Sequence, residues 1–196
     1  SAIDVGKSAA ILAAGDAPVA EYLAGKPLPK QKVSLIAAPT TAGAGSEVTL
    51  NAVLTDPESR IKQSIRSAEM MPDVAIVDPE LTITCPPDQT AWSGMDALCQ
   101  ALEAVALANA RLGLVHGMAH PIGVETGLPH GLVCALLLPH VMRFNMPVAE
   151  DKYRRVDRGL LGVVERMNEE FGIMAHAERL RPDADKWPAI VAQTMT

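Results

Sequence analysis

Residues 33 to 47 read Val33-Ser34-Leu35-Ile36-Ala37-Ala38-Pro39-Thr40-Thr41-Ala42-Gly43-Ala44-Gly45-Ser46-Glu47, a mostly apolar run stopped by proline and followed by a glycine-rich turn. A short run bounded in this way predicts a strand buried on both faces of a parallel sheet. Its exit, Gly43 to Ser46, is where such a sheet takes a phosphate-bearing ligand, because glycine lets backbone amides come close to oxygen atoms. A tight packing turn with no ligand is the alternative. The hydroxyls of Thr40, Thr41 and Ser46 favour the ligand, since a buried packing turn has little use for three of them.

Working outward, Ala2 to Ala14 predicts a helix, with Asp4 in the first turn where the helix dipole favours an anion and Gly15 at the stop. A loop containing Pro18, Pro27 and Pro29 separates it from the strand. On the other side, Val48 to Thr55 and, more weakly, Ile61 to Ser67 read as strands, and Asp73 to Val77 is a further apolar run closed by Asp78-Pro79. Residues 1–80 therefore predict an α/β domain. From Pro86-Pro87 the period turns helical, over Thr90 to Val105 and then around 106–118, 131–144 and 151–176. Residues 81–196 predict an all-helical domain, with a boundary between Asp78 and Pro87 and a cleft between the two as the expected site.

Composition narrows the function classes. The 196 residues are 48% apolar and 20% charged, with mean hydropathy +0.15, enough for one ordinary core or two small ones. Aromatics at 3% leave no stacking platform for single-stranded nucleic acid, and a net charge of -6 with pI near 5.3 argues against nucleic acid and anionic membrane partners. The long uncharged stretch Thr126 to Met142 is broken by Pro129, His130, Pro139 and His140, which predicts no membrane span. Cys85, Cys99 and Cys134 fit neither a zinc ribbon nor a disulfide framework, so a reducing cytoplasm is expected. An opening Ser1-Ala2-Ile3-Asp4 that lacks Met and is already helical predicts further chain upstream.

The histidines carry the chemistry. Four of the five lie between His116 and His140. His116 and His120 are spaced i, i+4 on one helical face, which suits two imidazoles converging on one ion or substrate. Asp96 and Gln100 share the same spacing on an otherwise apolar helix. Burying His116, His120 and His130 with Asp96 and no charged partner would be costly, so this set predicts a site. His140 and His176, taken singly, read as ordinary core histidines.

The strings APTTAGAGSEVT (38–49), DPELT (78–82), GMDAL (94–98), GLVHGMAHP (113–121), PHGL (129–132) and LLPHVMRFN (137–145) resemble the iron-containing (group III) alcohol dehydrogenases. The resemblance implies a dehydroquinate synthase-like architecture: a dinucleotide-binding domain with a parallel sheet, incomplete here, and an all-helical domain. It implies hydride transfer between NAD or NADP and a small alcohol or aldehyde, in a homo-oligomer, a dimer in the simplest case. By residue, it implies that Thr40, Thr41, Gly43 and Ala44 contact the cofactor, that Lys62 faces the nucleotide, and that Thr82, Thr84 and Cys85 pass along it. Ser1 matches the end of a pyrophosphate turn, with Asp4 beside it. Asp96, His116 and His130 match metal ligands, and His120 matches a catalytic histidine close to the reacting carbon.

Gln100 stands where the family pattern has histidine. An amide oxygen is a neutral, weaker donor than imidazole, so a site of Asp96, Gln100, His116 and His130 is expected to hold Fe2+ or Zn2+ less tightly. Without an ion, protonated His120 or His116 would polarise the substrate oxygen instead. The family pattern also has segments that this chain lacks at its start, near Val105-Ala106, near Leu160-Leu161 and at its end, which predicts a protein nearer ~380 residues. A glycerol dehydrogenase-like relative and a catalytically decayed assembly module are the rival readings.

Overall fold

The computed structural model describes residues 1–30, 33–56, 62–106 and 113–194. The expected strand residue Ile61, and residues 107–112 of the helix expected around 106–118, lie outside them. The chain divides into two compact units, Ser1–Cys85 and Pro86–Thr196.

In the first unit, α1 (Ala2–Leu12) starts at Ser1, whose hydroxyl accepts from the Asp4 amide at 3.2 Å while the Asp4 carboxylate reaches back to the Ser1 backbone nitrogen at 2.8 Å. This reciprocal cap satisfies donors that the first helical turn leaves open. A short α2 (Val19–Leu23) follows inside the proline-rich loop and buries Tyr22. Strand β1 (Ile36–Ala37) pairs in parallel with β4 (Val74–Ala75), and β2 (Asn51–Thr55) pairs antiparallel with β3 (Lys62–Arg66), in register from Asn51↔Arg66 to Thr55↔Lys62. Ile11, Tyr22, Ala52, Ile65 and Met70 form the core. The architecture is the expected α/β one, with one correction. The 33–38 run was predicted to be buried on both faces, yet only Ile36 and Ala37 are strand, Ala37 alone is buried, and Ile36 is 63% exposed. A strand extends only as far as its partner pairs with it, and β1 pairs with two residues of β4.

Lys7 is the largest fully buried side chain of this unit, and its ammonium donates to the Thr49 carbonyl (2.8 Å), the Thr49 hydroxyl (3.1 Å) and the Asn51 carbonyl (3.1 Å). It ties α1 to the start of β2. Burial holds this ammonium below the ordinary lysine range, against the opposing pull of Asp4 and Glu47. Lys7→Met keeps the apolar stem but strands these acceptors, each at about 1–3 kcal/mol. The expected loss of stability is therefore about 2 kcal/mol or more, read from the denaturant midpoint.

The second unit contains α3 (Pro87–Ala106), α4 (Leu114–Thr126), α5 (His130–Val156), α6 (Leu160–Glu170) and α7 (Trp187–Thr194), with 3-10 segments at Ile173–Arg179 and Ala184–Lys186. It has no strand among its described residues. Met95, Cys99 and Leu102 of α3, Val115, Ala119 and Ile122 of α4, and the run 132–138 of α5 meet in one core. α4 ends at Gly127, whose φ of 68° is a left-handed cap position that glycine takes without strain. Where separate helices over 131–144 and 151–176 were expected, α5 runs unbroken for 27 residues through Pro139 and Pro147. Each proline removes a helical hydrogen bond, at about 3 kcal/mol, and the burial of Leu132 to Leu138 offsets that cost. By length and composition α5 could cross a bilayer; its apolar stretch is spent on this core. The Asn168 amide on α6 donates to the Ala135 carbonyl of α5 at 2.8 Å and ties those two helices together. His140 is exposed rather than core, and His176 packs edge-on against Trp92 with ring centroids 5.9 Å apart.

Candidate functional site

Three helices of the second unit bring Asp96, His116 and His130 together. Asp96, on α3, is buried, and its Oδ1 lies 3.2 Å from His116 Nε2 and 3.8 Å from His130 Nε2. His116, on α4, is 2% exposed. His130 opens α5, and Gly131 allows it to sit there: a Cβ at 131 would lie 2.3 Å from the Trp92 carbonyl oxygen, so α5 can approach the α3 backbone this closely only with glycine. His120, one turn beyond His116 on α4, is half-buried with its ring centroid 5.1 Å from that of His130. Gln100 is half-buried on α3, one turn beyond Asp96.

Sequence reasoning missed Glu103. It is buried on α3, two turns past Asp96, and its carboxylate receives His116 Nδ1 at 2.6 Å, the Val115 amide at 2.7 Å and the Gly113 amide at 3.1 Å. Holding Nδ1 this way turns Nε2 toward Asp96 and His130. The i, i+7 spacing of two carboxylates on one apolar helix was the available signal. Two thiols were missed as well. Cys134 Sγ lies 3.6 Å from His130 Nε2, and Cys99 Sγ lies 3.9 Å from His116 Nδ1.

These contacts set the charges. Burial opposes a cationic His116, but hydrogen bonds to Asp96, Cys99 and Glu103 outweigh it and raise the imidazole from its ordinary 6.5 to about 11. Burial likewise opposes the Asp96 carboxylate, yet the hydrogen bond from His116 and the charge on His130 hold it below its ordinary value. The Cys134 hydrogen bond holds the Cys99 thiol low despite burial. In the metal-free chain, the stability contributed by charged His116 is fully present below about pH 6.5 and is lost as pH rises through about 11. Between about pH 7 and about pH 10 the melting temperature of the metal-free protein is therefore expected to decline more steeply with pH than that of His116→Gln, which lacks this contribution.

These groups assemble into two donor sets, Asp96, His116, His130 and Cys134 in one and Cys99, Glu103 and His116 in the other. For the first, a tetrahedral ion with bonds of about 2.0–2.1 Å to nitrogen or oxygen needs donors roughly 3.3 Å apart. The separations of 3.2 and 3.8 Å are close to that requirement.

In the first unit, a cavity of about 350 Å³ is lined by residues that include Thr41, Gly43, Gly45, Asp78 and Thr82. That is within the size range of small-molecule and cofactor sites. Of the predicted cofactor residues, Thr41, Gly43 and Thr82 line it, whereas Thr40, Ala44 and Thr84 are exposed and Lys62 and Cys85 half-buried. Ser1 lies 3.3 Å from the Ser46 hydroxyl, hydroxyl to hydroxyl, and Asp4 is occupied in the α1 cap. Thr40 and Thr41 are exposed at the turn rather than buried, so water satisfies their hydroxyls and they do not by themselves call for a ligand.

Residues 1–79 match the family described as iron-containing alcohol dehydrogenase, and residues 97–182 match the C-terminal part of the Fe-containing alcohol dehydrogenase family. Lactaldehyde reductase of Escherichia coli K12 is 34% identical over 191 residues, covering 74% of this chain and 50% of that protein. The chain spans about half the length of the curated relatives it matches. Among solved structures, a 1,3-propanediol oxidoreductase is similar with TM-score 0.88 and 26% identity, over 100% of this chain and 68% of that one. A sulfoacetaldehyde reductase from Bifidobacterium kashiwanohense, in complex with NAD+, gives TM-score 0.84 and 27% identity over 100% and 67%.

Proposed function

Since the chain belongs to the iron-containing alcohol dehydrogenase family, we propose that the protein is an oxidoreductase moving a hydride between NAD(H) or NADP(H) and a small alcohol or aldehyde. The observation that carries this reading is the convergence of Asp96, His116 and His130, one from each of three helices, with His116 clamped by Glu103. A carboxylate oxygen and two imidazole nitrogens converging this closely are donors that a dication would take up.

Bound nicotinamide supplies the hydride acceptor or donor, and a divalent ion, Fe2+ or Zn2+, supplies a Lewis acid toward the substrate oxygen. Asp96, His116 and His130 would hold the ion, while Thr41, Gly43 and Thr82 would bind the cofactor in their cavity, where the glycine offers a backbone approach free of any Cβ. His120 would take the alcohol proton on a ring nitrogen during oxidation and return it during reduction, its half-buried position leaving a path to water. Glu103 keeps His116 Nε2 facing Asp96 throughout.

The test is nicotinamide absorbance with NADH and NADPH against a panel of short aldehydes, with divalent metal added. Oxidation of the cofactor with at least one aldehyde is expected. A flat trace with every aldehyde would overturn the enzyme reading in favour of a non-catalytic assembly role.

A further inference from the structure

Resting on the reading that Asp96, His116 and His130 hold a divalent ion, we propose that the fourth protein donor is the thiolate of Cys134, making an Asp-His-His-Cys centre rather than one completed by the Gln100 amide. Cys134 is fully buried on α5, one helical turn beyond His130, so both side chains leave the same face of that helix. One donor atom from each of Asp96, His116, His130 and Cys134 lies within 4.8 Å of every other. A tetrahedral ion with a bond of about 2.3 Å to sulfur and about 2.05 Å to nitrogen needs those two donors roughly 3.6 Å apart. Cys134 Sγ and His130 Nε2 are separated by 3.6 Å.

The competing donors fare worse. Cys99 Sγ approaches His116 at Nδ1, 3.9 Å away, the nitrogen that Glu103 already holds, and groups with Glu103 and His116 rather than with Asp96 and His130. Gln100 offers a neutral oxygen, whereas the sulfur anion brings charge to a dication. As the metal–sulfur bond forms, the S–H proton leaves to solvent. A centre with a thiolate donor takes Zn(II) or Co(II) in preference to Fe(II).

Cobalt(II) added to the metal-free protein tests this. Wild type, Cys99→Ser and Gln100→Ala are expected to bind one equivalent and to show an intense near-ultraviolet sulfur-to-cobalt charge-transfer band. Cys134→Ser should lose that band and bind cobalt more than about a hundredfold more weakly, beyond the roughly 10–100-fold that outer-sphere substitutions bring. Zinc-loaded wild type, which needs no variant, should show one sulfur scatterer at about 2.3 Å by X-ray absorption. Cobalt bound by wild type with no sulfur band, or a band that survives Cys134→Ser and disappears in Cys99→Ser, would overturn the Cys134 assignment while leaving the Asp-His-His reading standing. Failure of wild type to bind cobalt at all would overturn both.

Discussion

His116→Ala is expected to leave the purified protein without stoichiometric divalent metal and to lower kcat/KM for aldehyde reduction about a thousandfold or more. A Lewis acid at the reacting oxygen is worth several kcal/mol, and about 4 kcal/mol corresponds to three orders of magnitude. His116 matters more than its share of the donors because two buried carboxylates depend on it: its Nε2 lies 3.2 Å from Asp96 and its Nδ1 2.6 Å from Glu103. Removing the ring strands two buried carboxylates, so a stability cost of about 3–5 kcal/mol accompanies the loss of metal. Glu103→Gln separates the two effects. It preserves shape and one acceptor, and should weaken metal binding about 10–100-fold without abolishing it. Elemental analysis beside circular dichroism checks both variants; a folded His116→Ala protein that keeps its metal would remove His116 from the ligand set.

Gly131→Ala is expected to cost about 3 kcal/mol or more, and to weaken metal binding together with stability. Alanine favours a helix over glycine by about 1 kcal/mol, so propensity alone predicts a gain. Sterics decide the sign. The added methyl would meet the Trp92 carbonyl oxygen at 2.3 Å and its carbon at 2.8 Å, and backbone held in a helix cannot swing aside as a side chain can. α5 must move away from α3, and it carries His130 away from Asp96, to which His130 is already the longer contact at 3.8 Å. Thermal melting and a metal titration on the same preparation check this. A variant with unchanged melting temperature would mean that the two helices are not packed this closely in solution.

Both features show how unevenly the sequence displays its structure. The helical unit was legible because its apolar residues recur at three and four positions, and the grouping of Asp96, His116 and His130 because polar residues on such faces need a reason to be there. The first unit was less legible. Strand length depends on pairing, so a six-residue apolar run shortened to Ile36 and Ala37 once β4 offered only Val74 and Ala75. The break expected between helices at 131–144 and 151–176 is also absent, because burial on both sides of it, over 132–139, at Val141 and Met142, and at Ala149 and Tyr153, keeps α5 going through Pro147. Cys134 was hidden for a related reason: inside Leu132 to Leu138 it reads as a small apolar core residue. Glu103 was hidden because its partners, Gly113, Val115 and His116, are ten to thirteen residues away, across a connection with no recognisable motif.

Glu103 has a thermodynamic consequence as well. The same carboxylate accepts the Gly113 and Val115 amides at the start of α4 and holds the imidazole of His116. Whatever strengthens one grip strengthens the other, by reciprocity of linked equilibria. An ion binding at Nε2 would therefore also hold the leading turn of α4 in place, and any strain that loosens that turn would be felt as weaker affinity for the ion. Cofactor loading and local folding are thus two readings of one free energy, joined through a single glutamate.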